Sequence, residues 1–84
     1  MDLLELPSTL PLTMPPRGIE VVPRRGGLWR VARNDGVVLG YVEKVDDEGA
    51  VRYRAKRMLP RAAGFTVIGD FWTADQAVDA LRHA

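Results

Sequence analysis

Arg52, Arg54 and Lys56 recur at every second position of residues 50–57, and Arg30, Arg33 and Tyr41 stand in the two apolar runs before them. Period two is the spacing of a strand, so the three cations share one surface while Val51, Tyr53 and Ala55 share the other. Guanidinium groups fit phosphate oxygens and guanine edges, and a ribbon of two or three strands fits the major groove. Arg30, Arg33, Tyr41, Arg52, Arg54 and Lys56 are therefore candidate contacts to duplex DNA. The plainer role for such residues is a solvated outer face whose cations discourage edge-to-edge pairing of sheets. What favours a binding role is repulsion: like charges at i and i+2 stand about 7 Å apart and repel unless an outside anion or Glu43 offsets them.

The net charge of +1 does not decide the matter, because binding follows the placement of charge more than its sum. Residues 43–48 hold Glu43, Asp46, Asp47 and Glu48 against Lys44, whereas residues 51–69 hold Arg52, Arg54, Lys56, Arg57 and Arg61 with no acid. Catalytic groups are scarce. There is no cysteine, Ser8 is the only serine, and His83 is the only histidine, placed where a helix end would fray. The acidic run at 46–48 lacks the alternating ligands and closing glutamate of a calcium loop, and no glycine-lysine pair marks a phosphate loop. The expectation is a chain that is no enzyme, with no metal and no cofactor. Acidic residues open the sequence where a signal peptide needs basic ones, and no apolar run nears the roughly 20 residues of a membrane span, so the expected location is cytoplasmic.

A chain of 84 residues supports one domain and one modest core. Residues 1–18 carry Pro7, Pro11, Pro15 and Pro16, which forbid a continuous helix or central strand, and read as an extended arm. Its leucines, Leu3, Leu4, Leu6, Leu10 and Leu12, can pack on the domain itself or on a partner. The second functional reading follows from them: a protein-interaction or accessory subunit that docks through this arm, with self-association as one form.

Residues 19–84 read as a single β-β-β-(β)-α domain. Ile19 to Val22 is a possible short strand stopped by Pro23. Residues 28–33 and 37–44 form a hairpin about Asp35-Gly36, a pair that tolerates the positive φ of a two-residue loop. That loop sets Val31 opposite Gly40 and Trp29 opposite Val42. It also puts Trp29, Val31, Val38 and Val42 on one face and Arg30, Leu39, Tyr41 and Glu43 on the other. A third strand follows the acidic turn at 46–49, residues 59–64 form a loop, and Phe65 to Ile68 make a short fourth strand. Thr73 with Gln76 three residues on is a capping box, with Trp72 placed to staple onto Ala77. Ala74, Ala77, Val78 and Leu81 give one apolar stripe. The expected fold is α+β, an antiparallel sheet of three to four strands packed on one C-terminal helix, with an extended N-terminal arm.

Gly27-Leu28-Trp29-Arg30-Val31 and Phe71-Trp72-Thr73-Ala74-Asp75-Gln76-Ala77 carry a resemblance. Over about 55 residues, from Leu28 to Leu81, the segment resembles the AP2-like and integrase arm-binding modules, with residues 58–70 intervening between third strand and helix. The resemblance implies a three-stranded sheet on one helix and DNA held on the exposed sheet face, which maps the contacts onto Arg30, Arg52, Arg54 and Lys56.

Overall fold

In the computed structural model, residues 9–14 and 16–84 are described. Five runs rich in β-branched and aromatic residues pair in chain order into one antiparallel sheet: β1 Ile19–Arg24, β2 Leu28–Arg33, β3 Val38–Asp47, β4 Ala50–Met58 and β5 Phe65–Phe71. One helix, α1 Ala74–Arg82, closes the chain. The fold is thus α+β as expected, but the sheet has five strands and not three to four. Pro23 does not stop β1, because β1 is an edge strand, where a residue without an N–H leaves no inner ladder bond unmade, and it pairs with Trp29. At the other edge, β5 runs on past Ile68 to Phe71.

The β2–β3 hairpin keeps the expected pairs Val31 with Gly40 and Trp29 with Val42 but reaches them differently. Its loop has three residues, Asn34, Asp35 and Gly36, closed by a hydrogen bond from Arg33 N–H to the Val37 carbonyl. A bulge then places Ala32 opposite Val38 and restores the register. The extra residue is Leu39, and the shift reverses the expected facing: Val38 is exposed, whereas Leu39 packs against the core.

Thr73 Oγ1 accepts from the Gln76 N–H and Gln76 Oε1 from the Thr73 N–H, so the capping box forms as its spacing dictates. Ala74, Ala77, Val78 and Leu81 are all buried. They meet Trp29, Val31, Val42 and Ala55 from the sheet's inner face. Trp72 does not staple the helix. It turns outward, 63% exposed, with the Arg52 guanidinium 4.0 Å from its ring centroid. Leu10 of the arm enters the same core, and the Thr13 N–H donates to the Asp75 carboxylate at the first turn of α1. The described part of the arm is therefore packed on the domain; residues 1–8 and 15 lie outside the described residues.

Candidate functional site

Directly opposed residues of an antiparallel ladder share a face, so the register fixes the composition of the sheet's outer surface. One row across it reads Arg30, Tyr41, Lys56 and Val67; the next reads Leu28, Glu43, Arg54 and Asp70. Each of the three alternating cations on β4 has an acid within reach. Arg54 makes a bidentate pair with Asp70, Nε to Oδ1 at 2.8 Å and Nη2 to Oδ2 at 3.0 Å. Lys56 Nζ lies 2.9 Å from Glu43 Oε1. Arg52 is 3.8 Å from Asp47, donates to the Asp70 carbonyl at 3.2 Å, and stacks on Trp72, while its Nε has no hydrogen-bond partner among the described residues. The repulsion that the sequence implied is relieved from within the sheet, by Glu43 and by Asp70 and Asp47.

The remaining candidates are divided. Arg33 is held in the hairpin loop by Asp35 through two hydrogen bonds, away from the β4 row. Tyr41 packs edge-on against Phe65, ring centroids 5.5 Å apart. Arg30, opposite Tyr41 on β3 and Val22 on β1, makes no ion pair among the described residues, nor do Arg24 and Arg25 near the β1–β2 turn. His83 faces the Asp79 carbonyl from an exposed position, and no group of three or more His, Cys, Asp or Glu among the described residues could hold a metal ion. No helix among the described residues is long and apolar enough to cross a membrane.

The Asp70 carboxyl is held below its ordinary value chiefly by the Arg54 hydrogen bonds, and the Arg54 guanidinium is raised in return. A carboxylate with a depressed folded-state pKa stabilises the fold above its unfolded value, and that contribution is lost as pH falls through the folded one. Asp35 is lowered likewise by Arg33. Thermal stability should therefore decline below about pH 4. Asp70→Asn should remove part of that decline in melts across the acid range, and an identical acid limb in the variant would show that the pair is not coupled to folding.

Charge matching leaves apolar surface as the unexplained feature of this face. Phe65 and Val67 on β5 and Met58 on β4 are 47%, 53% and 45% exposed. Phe65 pairs with Met58 and touches Tyr41, so the group is continuous. The two edges of the sheet differ sharply. β1 carries Glu20, Pro23 and Arg24, which discourage added strands, whereas β5 has no proline and no basic residue, and its one acid is tied to Arg54.

Beside this corner the sheet opens. The β3–β4 ladder begins at Tyr41 with Lys56; beyond it, residues 38–40 and 57–59 are unpaired with one another and flank a cleft of about 420 Å³. Val38, Leu39, Tyr41, Met58 and Leu59 supply apolar walls, and Arg57 and Arg61 supply charge. Arg57 donates to the Ala84 carbonyl at 2.8 Å, and Arg61 has no partner among the described residues. Arg61 sits in a short 3₁₀ turn with φ of 59°, left-handed backbone that a non-glycine residue adopts at a cost. Of the corner's residues, Tyr41 and the basic Lys56, Arg57 and Arg61 stood out in the sequence, but its apolar Met58, Phe65 and Val67 did not. The signal that could have found it was the density of apolar residues in 58–68, with one basic residue, Arg61, and no acid among them.

A scan against family models and searches of curated proteins and of solved structures find no match to this chain.

Proposed function

We propose that the chain is a small non-catalytic docking module for a protein partner, held through the apolar corner of the outer sheet face. One observation carries this reading: exposed Phe65 and Val67 on the unprotected edge strand β5 join exposed Met58 on β4 and half-buried Tyr41 on β3 in one apolar group, with Lys56 over the Phe65 ring. Apolar contacts of this kind supply affinity, and the adjoining cation selects the partner by charge. The matching chemistry is an extended segment combining aliphatic side chains with carboxylates. Selection from a random-peptide display library is expected to enrich leucine- or isoleucine-bearing acidic sequences, and Phe65→Lys to abolish the enrichment. Enrichment that survives Phe65→Lys would place docking elsewhere.

Duplex DNA is the second reading, and the specific support for it is the group Arg24, Arg25 and Arg30, which no carboxylate among the described residues holds. Two features weigh against it. The face is nearly charge-balanced, and five strands at about 4.8 Å spacing are roughly 20 Å across, wider than the roughly 12 Å major groove. Fluorescence anisotropy with labelled duplex separates the two. A docking module leaves the signal flat at near-physiological salt, whereas saturable binding lost in Arg30→Glu would transfer the function to nucleic acid.

A further inference from the structure

Thr66 lies opposite Arg57, whose guanidinium reaches the Ala84 carbonyl just past α1, so Thr66 is on the helix side of the sheet. Phe65 and Val67, to either side of it, are on the outer face. The backbone alternates too. The Leu59 N–H donates to the Gly64 carbonyl at 2.9 Å, which marks those two residues as a hydrogen-bonded pair. Counting along the ladder, Arg57 with Thr66 is the next such pair, and the pairs that flank it, Met58 with Phe65 and Lys56 with Val67, are not. The N–H and C=O groups of Phe65 and Val67 therefore point away from β4, to an edge where no strand pairs among the described residues.

We propose that this edge pairs with the same edge of a second copy, β5 antiparallel to β5 about a two-fold axis at Thr66. The inference rests on the docking reading of this corner and names its partner. Residues opposed across a ladder share a face, so an axis at Thr66 sets Phe65 beside Val67 of the second copy on the outer face and Thr66 beside its own counterpart on the helix side. Both are favourable cross-strand pairs, aromatic with β-branched and threonine with threonine, and the outward N–H and C=O groups of Phe65 and Val67 meet in hydrogen bonds. Residues 65–69 read Phe-Thr-Val-Ile-Gly, so no like charges face each other across the join. Glu20, Pro23 and Arg24 close β1 to the same use. Each copy thus has one edge to offer, and like edges joined by a two-fold axis make a closed dimer where β5 on β1 would run on into a filament. The register shift at Ile68 limits the straight ladder to residues 64–68, so the interface is of the weak, reversible class below about 1,200 Å².

Sedimentation equilibrium of the full chain, carried to millimolar concentration, tests this. The wild type is expected to dimerise reversibly. Thr66→Lys and Thr66→Glu each set like charges face to face at the axis and should each raise the dimer Kd by about tenfold or more, whereas an equimolar mixture of the two should recover a dimer with one copy of each. Damage to the fold alone would not be repaired by mixing. A wild type that stays monomeric at every concentration, variants with the wild-type Kd, or a mixture that stays monomeric overturns the proposal. Because Thr66 is on the helix side, both variants keep the outer apolar group, and peptide enrichment on them reports the docking reading by itself. Enrichment on a chain that never dimerises ends self-pairing and leaves that reading intact; failure of enrichment as well ends both.

Discussion

Alanine at Gly40 is expected to lower the stability of the domain by about 3 kcal/mol, a fall in melting temperature of roughly 12–24 °C for a chain of this size. A Cβ built there would stand 2.3 Å from the Lys56 carbonyl oxygen and 2.7 Å from Leu81 Cδ2. The second contact can be eased by a rotamer change, but the first is with backbone of the neighbouring strand. Relief requires β4 to move away from β3, beside the last ladder pair before the two strands part, Tyr41 with Lys56. The domain's total stability is only about 4–13 kcal/mol by its length, so a loss of this size is a large share. Gly69 provides the contrast. A Cβ there would meet the Phe71 ring at 3.1 Å, the far end of a side chain that can swing aside, so Gly69→Ala should cost much less. Denaturant titration of both variants checks the order. A Gly40→Ala protein that melts within about 4 °C of the wild type would show that β4 and α1 can back away from β3 at little cost.

The same position shows how far local sequence signals reach. Strand alternation and the Asp35-Gly36 turn were enough to place Gly40 opposite Val31, and the structure has that pair. They were not enough to count the loop residues. A three-residue loop followed by a bulge reaches the same register as a two-residue loop without one, and only the orientation of Val38 and Leu39 tells them apart. The helix was legible in full because its signals all lie within ten residues, Thr73 to Arg82: a capping box, an apolar stripe, and Asp75 and Arg82 at suitable ends of the dipole. Trp72 broke from the pattern since Arg52, 20 positions earlier in the sequence, offers its guanidinium to the ring.

The candidate site was less legible than the fold for the same physical reason. A basic strand was plain from period two, but the charge it presents depends on which acids its neighbours bring to the same face. Asp70 reaches Arg54 because β5 pairs with β4 and because a register shift between Ala55 and Lys56 aligns the two. Neither the extra strand length nor the bulge has a local signal. Reading residues 65–68 as a short fourth strand, with no register to its neighbour, likewise concealed that Met58, Phe65 and Val67 share one surface with Tyr41.

Leu10→Ala should cost about 2–5 kcal/mol, although the residue belongs to a stretch whose prolines suggest nothing more than an extended arm. Its side chain is 3% exposed and lies in the cluster that contains Trp29, Val31 and Leu81. Deleting most of a leucine from such a site loses transfer free energy and leaves a cavity beneath the helix, and the prolines around it restrict how far the arm can collapse to fill it. Exposed Met14, in the same arm, gives the matched comparison, with Met14→Ala expected within about 0.5 kcal/mol of the wild type. The contrast bears on function as well as stability. If Leu10 anchors the arm as described, truncation of residues 1–18 should destabilise the sheet and helix together. A truncated chain as stable as the wild type would mean that the core closes without Leu10, and the arm would then be free to act wholly on a partner.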